Sequence, residues 1–565
     1  MNVTLAYNAR SAVRQTESGQ ALALAPNVAR EPVAFDAELR DPVRFREAIS
    51  ALHDVVISDL RFVKRDKSAY RAWQERRRLA IAGARARAAA DVQQRVSAAA
   101  KAPVPAGVEA AFDAARRRYW DARGKYDAAI RHADPELWRK LVPYDPVITV
   151  APDACLFECF SGDESSYGCL SVDRESAFGP SDLLQYGTTN VDYSWDLYDH
   201  FQSLRSYRRT RFTLDPHAFA ARTEVAGTGG ATHREEKIDL PTSWLRGFMQ
   251  IQVAAGLPAT VVSLPREAVY SVLAWHKRRR ARVSPRALRF ELTPGRPVRL
   301  VLEPWEQPVD VFGAPVYTGR PVQPVRVWGV RRLLAVARLL PLVDRFDVHL
   351  LGTGLPHFWV ARMGDMRLTL GLSGWTTNDW TRASALEMLL PAGVATPQLV
   401  GMVAEHLRQV RLATFEQVAR AVDRAGPPLL AALARLANAG QVVYDLAAGA
   451  YRWRQILPKP LGEAEIGPEP EELQGLRKIL ASGPWPAGVT RQAADGIGVL
   501  IAGTVGGNDC EVLVDTEGRT KRGKCQCGWY RRFALKNGPC RHMMALRYTD
   551  PERLGGVLGP PPVPK

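Results

Sequence analysis

The sequence predicts a multidomain α+β protein, and three observations carry that expectation. At 565 residues the chain exceeds what one core accommodates, and a scale of about 100–200 residues per domain implies several folded units. The spacing of apolar residues switches along the chain from helical periodicity to short β-branched runs and back to helical periodicity. Cysteines 510, 525, 527 and 540, out of seven in the whole chain, crowd into its last tenth, which suits a metal-binding module in a reducing compartment better than a disulfide framework.

The apolar fraction of 46% and the charged fraction of 24% are those of globular domains. Met1 to Gln20 has no apolar signal-like core, and no stretch approaches the ~20 uncharged residues that a spanning helix needs. The chain is therefore expected to be cytoplasmic, with no membrane partner. Its net charge of +17 is unevenly spread, with basic blocks at 61–141, 266–299 and 519–547 and an acidic stretch at 134–200.

Residues 1–35 show no sustained period and read as a disordered lead-in. The next segment, 36–140, reads as a basic helical hairpin. Helix formers fill Asp66 to Lys101, Pro103 and Pro105 break the run, and a second helix spans about Gly107 to His132. Arg76 to Arg78 and Arg116 to Arg118 lie on these helices, either as solvated faces or as a phosphate-tracking surface. From 141 to 390 the β-branched runs at Pro146 to Val150, Val298 to Leu302 and Val348 to Leu351 alternate with helical stretches, giving a mixed α/β region of unassigned topology.

Residues 397–456 hold three helices and a hairpin. Thr414 and Gln417 have the capping-box spacing that starts the second helix. Pro427 and Pro428 open the third, Leu429, Leu433 and Leu436 share one of its faces, and Gly440 ends it. Val442 to Tyr444 and Tyr451 to Trp453 form the hairpin. Three helices followed by two strands resemble a winged-helix domain, which usually reads duplex DNA through its third helix. Here that helix offers only Arg435 and Asn438 outward, so a docking role is expected, with Arg452 and Arg454 on the wing as a weaker phosphate contact. Residues 457–475 read as a Pro, Gly and Glu-rich linker, and 551–565 as a disordered tail.

The strongest local signal is Cys525-x-Cys527, twelve residues, then Cys540-x-His542. A strand-like run ends in the first pair, and an apolar helix beginning at Met543 follows the second. Zinc takes four nitrogen and sulfur ligands in a tetrahedron, and two pairs from a strand end and a helix start can converge on one ion. Four protein ligands leave no position for a catalytic water, so the zinc is expected to be structural. The segment resembles the SWIM zinc finger, with its CxC, spacer and CxH in a ββα arrangement, across about 490–550. The resemblance implies DNA or protein binding without choosing between them. Around the ligands stand Lys521, Arg522, Lys524, Arg531, Arg532 and Arg541 with Trp529 and Tyr530, and no acidic residue lies from Arg519 to Arg547. Interleaved cations and aromatics suit the phosphates and unpaired bases of single-stranded DNA or RNA.

Trp138 to Pro146, Asp163 to Gly168, Leu351 to Pro356 and Gly371 to Trp375 give the longer chain a resemblance to bacterial SWIM zinc finger family proteins. That resemblance implies a protein partner of the MoxR-type AAA ATPase or von Willebrand A-domain kind, and no catalytic residues. Cys155, Cys159 and Cys169 read as buried free thiols. His349 and His357 flank Gly352 and Gly354, a glycine pair that lacks a phosphate-loop lysine. None of the hydrolase, zinc-protease or kinase motif sets occurs. The expected function is a non-enzymatic zinc adaptor. The alternative is a metal-dependent hydrolase using the acidic Asp163 to Asp199 region.

Overall fold

The structure, a computed structural model, describes residues 3–7, 11–16, 19–27, 31–57, 146–191, 209–215, 235–240, 242–279, 287–309, 316–373, 395–456, 471–494, 498–515, 520–535 and 537–548, with isolated positions between these stretches. Residues 60–142 cluster as a unit separate from the rest. Within it, scattered helical positions from 110 to 125 are described. Most of the expected hairpin, including Arg76 to Arg78, therefore lies outside the described residues, as do 461–470, Thr376 to Trp380 and the tail 551–565. The remainder is a mixed α/β assembly of several sheets.

Its largest sheet has eight strands, each antiparallel to its neighbours: Thr260–Pro265, Arg345–Leu350, His357–Met363, Met366–Leu372, Ser166–Asp173, Ala154–Phe160, Val147–Val150 and Gly187–Asn190. A five-stranded sheet runs Ala12–Thr16, Gly19–Leu24, Thr210–Leu214, Ala34–Leu39, Phe178–Gln185. Its pairing of Thr210–Leu214 with Gly19–Leu24 is parallel. Helix Pro42–Val56 joins the two sheets through its side chains. Asp41 caps it by accepting from Arg44 N at 2.9 Å, and Phe45 stands edge-on to Phe157 of one sheet and Phe212 of the other. Buried aromatic edges of this kind add about 0.5–1.5 kcal/mol per pair beyond the area they bury.

Two expectations need correcting here. The lead-in 1–35 supplies strands, and Gln20 to Ala25 are buried. Alanine and glutamine have weak strand propensity, so the local signal is faint. Long-range pairing with Thr210–Leu214 decides the conformation. Residues 36–57, grouped in sequence with the basic helices, form instead the end of strand Ala34–Leu39 and helix Pro42–Val56.

Residues 397–456 form helices Pro397–Val410, Phe415–Ala421 and Pro427–Asn438 with a three-stranded sheet of Leu412–Ala413, Ala450–Trp453 and Val442–Asp445. The Thr414 and Gln417 capping box is present, with Thr414 N donating to Gln417 Oε1 at 2.7 Å. Gly440, at φ +70°, ends the third helix. Arg452 and Arg454 do not face solvent as a phosphate contact requires. Arg452 reaches Asp153 at 2.6 Å and Asp445 at 2.9 Å. Fully buried Arg454 lies 3.5 Å from Glu158 and over the Phe248 ring. Glu158 also accepts from Tyr167 Oη at 2.6 Å. These pairs fasten the small sheet to the eight-stranded one.

Three histidines sit in the core as neutral rings. Trp359 Nε1 donates to His357 Nδ1 at 2.9 Å, so His357 carries its proton on Nε2 and donates it to Trp328 O at 3.0 Å. Burial holds His357 down to about 3, and burial with a nearby arginine holds His53 and His276 down to about 4 each. Each ring binds a proton more weakly folded than unfolded. Stability is therefore full above ~6.5, the unfolded value, and falls as pH drops toward the folded values. Denaturant melts between pH 7 and 4.5 should show each histidine contributing about 1.4 kcal/mol per pH unit. His276→Phe should flatten that dependence by one such share.

Candidate metal centre

The C-terminal part folds around a four-stranded antiparallel meander of Ala487–Ala494, Gly498–Val505, Asn508–Asp515 and Thr520–Cys525. Gly506 and Gly507, both at positive φ (+53° and +73°), make the tight turn between the middle strands. Helix Arg541–Tyr548 covers one face, burying Met543, Met544 and Leu546 against Ile501, Val505 and Val512. Helix Glu471–Ser482 adds Leu476 and Ile479 to the same core. Its first turn falls within 457–475, expected from sequence to be a linker, and is helical instead. Acidic residues at a helix start and a single apolar stripe were the available signals, and the Pro and Glu content masked them.

Each candidate ligand has a structural reason for its place. Cys525 ends the last strand of the meander. Cys527 is the N-cap of helix Gly528–Phe533, its sulfur accepting from Tyr530 N at 3.4 Å. Cys540 immediately precedes helix Arg541–Tyr548, and His542 lies in that helix's first turn. The three sulfurs and a ring nitrogen all lie within 4.8 Å of one another, and Cys525 Sγ is 3.8 Å from His542 Nδ1. A tetrahedral ion with sulfur bonds of about 2.3 Å spaces its ligand atoms about 3.8 Å apart. The donor set, the burial of all three cysteines and the spacing fit a metal ion, and three thiolates with one imidazole suit zinc.

Cys510, absent from the sequence motif, belongs to the same neighbourhood. It is buried, stands directly opposite Cys525 in the strand register, and donates to Gly503 O at 3.5 Å. The neighbouring thiols of Cys510 and Cys540 hold Cys525 below the usual thiol range. The closeness of Cys525, together with burial, pushes Cys510 and Cys540 up, and burial raises Cys527. The missed signal is the register of Asn508–Asp515 against Thr520–Cys525, which places Cys510 opposite Cys525.

The eight side chains expected to touch nucleic acid separate into groups. Arg522, Arg531 and Arg532 are exposed. Lys524 is exposed but leans to Glu511 at 3.7 Å. Tyr530 is half-buried beside a cavity of about 550 Å³ that also borders Thr504, Asp509 and Lys524. Trp529 is half-buried, edge-on to Phe533 at 4.8 Å, with Nε1 3.5 Å from Gly538 O. Arg541 donates its backbone N–H to Glu472 at 2.6 Å and grips the same carboxylate through Nε and Nη2. Its guanidinium crosses Gly475 so closely that an added Cβ would meet it at 2.6 Å. The side chain of Lys521 lies outside the described residues.

The acidic stretch from Asp163 to Asp199 is not gathered into a site among the described residues. Asp163 is buried and accepts from Ser161 Oγ and Ser165 Oγ, each at 2.7 Å. Asp173 caps a short helix by accepting from Ser176 N and Oγ. Cys155 and Cys159 are buried, and burial pushes the Cys155 thiol up to about 12.

Chelation of the metal should loosen the C-terminal module and spare the large sheets, because ligand binding and local folding are coupled by about 10 kcal/mol or more in small zinc modules. Hydrogen exchange checks this. Protection should collapse across 498–548 and persist across 147–173.

No family model matches the chain, and no curated protein matches it. Among solved structures, it is similar to the Entamoeba histolytica proliferating cellular nuclear antigen at 12% identity and a TM-score of 0.28, covering 41% of this chain and 89% of that one. It is also similar to A. fulgidus PCNA bound to the C-terminal region of FEN-1, at 13% and 0.25, covering 41% and 89%. The Thermococcus kodakaraensis PCNA gives 11% and 0.23, covering 41% and 90%.

Proposed function

We propose that the chain is a zinc-binding adaptor whose C-terminal module, of the SWIM type, holds a structural ion and contacts single-stranded nucleic acid. The observation that carries this reading is the convergence of Cys525, Cys527, Cys540 and His542 within 4.8 Å. Four protein ligands fill a tetrahedron, so the ion organises structure and performs no hydrolysis. Arg522, Arg531 and Arg532 then form the phosphate-facing surface, and Tyr530 stands beside them. Arg541, gripped by Glu472, positions the ligand-bearing helix instead.

The winged-helix-like domain at 397–456 serves as a docking element in this reading, because its wing arginines are already committed to carboxylates. A MoxR-type AAA ATPase or a von Willebrand A-domain protein in the cytoplasm is the partner class that the sequence resemblance supplies. Among the described residues no helix is long and apolar enough to cross a membrane.

Metal analysis of the purified chain should find about one zinc per molecule, lost in Cys525→Ser/Cys540→Ser. Binding to a single-stranded oligonucleotide should weaken with salt. Arg531→Glu/Arg532→Glu should reduce the log–log slope by about 1.4, at about 0.7 per phosphate contact. Full zinc with unchanged affinity and slope in that double variant would falsify the nucleic-acid surface and leave protein docking as the module's role.

A further inference from the structure

A fourth cysteine sulfur beside three candidate thiol ligands and one imidazole is a chemical feature that the metal centre does not use. Cys510 and Cys525 are direct partners on adjacent antiparallel strands. Gln526 N donates to Asp509 O at 3.1 Å, so the ladder hydrogen bonds bracket the 510/525 pair. It is thus a non-hydrogen-bonded pair, in which Cα atoms approach to about 4.5 Å and side chains come closest. That spacing falls inside the range of about 4.4–6.8 Å that a disulfide spans. The sulfur of Cys510 donates to Gly503 O at 3.5 Å and is not among the four converging candidate ligands. Both cysteines border the cavity of about 550 Å³ beside Tyr530 and Lys524. A small polar oxidant can enter there although each side chain is buried.

We propose that Cys510 is a resolving cysteine, and that peroxide converts the Cys510 and Cys525 pair to a disulfide that dismantles the metal centre. This rests on the metal-binding reading above. The Cys525 thiolate attacks one oxygen of hydrogen peroxide, forming an S–O bond as the O–O bond breaks and hydroxide leaves, which is protonated to water. Cys510 then attacks the sulfenic sulfur. The S–S bond forms, the S–O bond breaks, and the departing hydroxide takes the Cys510 proton as a second water. Two thiols are oxidised by two electrons and one peroxide is reduced to two waters. Only Cys527, Cys540 and His542 remain as ligands, too few to close a structural shell. Cys510 is not itself a ligand in this scheme, so the centre assembles without it.

The test uses the full chain loaded with zinc, with metal content measured before oxidation. Titration with hydrogen peroxide should release the zinc to a chromogenic chelator and remove two hydrogens from the intact mass. Peptide mapping should place the cross-link between Cys510 and Cys525, and dithiothreitol with added zinc should restore the site. In Cys510→Ser the site should load normally, but peroxide should leave Cys525 oxidised beyond recovery or joined to Cys527 or Cys540, with loss of the dithiothreitol-restored fraction. Cys510→Ala repeats the comparison without a hydroxyl. A native chain that holds zinc and cross-links Cys525 to Cys527 or Cys540, or variants that recover as fully as the native chain, would overturn the resolving role alone. A native chain that never holds zinc overturns the metal reading instead.

Discussion

A guanidinium does not leave water without an acceptor to meet it, and that constraint organises this basic chain. Arg452 between Asp153 and Asp445, Arg454 beside Glu158, and Arg541 on Glu472 are each met by a carboxylate. Buried Arg332 is met instead by Ser165 O and Ser373 Oγ. Leaving a charge buried without its partner costs about 3–5 kcal/mol, so the pairings of buried Arg452, Arg454 and Glu472 fix which elements touch. The net charge of +17 thereby divides into arginines that hold the fold and arginines that remain on the surface. Arg452 and Arg454 fall in the first class, and Arg531 and Arg532 fall in the second.

Local features were the most legible in sequence. The capping box at Thr414, the helix opened by Pro427 and the ligand pattern from Cys525 to His542 depend on residues within a few turns of one another, and spacing alone reveals them. Features decided by distant partners were not legible. Gln20 to Ala25, one Gln followed by Ala and Leu, look helix-tolerant until Thr210–Leu214 lies beside them. Glu472 looks like linker charge until Arg541 N and its guanidinium share it. Trp529 and Tyr530 read as stacking residues in a list of cations and aromatics, whereas Phe533 and Gly538 O take up much of the indole.

Within the C-terminal module, a single carboxylate does two things. Glu472 neutralises Arg541 and also accepts the first backbone N–H of the helix that follows Cys540, where the helix dipole favours negative charge. The glycine at 475 leaves room for the guanidinium to cross the helix at close range. Through that contact, helix Glu471–Ser482 sets the pose of the helix carrying His542, so the placement of a candidate ligand depends on a segment far outside the ligand motif.

The eight-stranded sheet imposes an order on synthesis. Ser166–Asp173 pairs with Met366–Leu372, its neighbour in space, only after the intervening chain has been made. At roughly 5–20 residues per second, the ribosome takes on the order of ten to forty seconds to deliver that partner. Throughout that interval the apolar side of Ala154–Phe160 and Ser166–Asp173 has no completed sheet beside it. The nascent chain must be sheltered for that time, and an edge so exposed is where premature pairing with another copy would start.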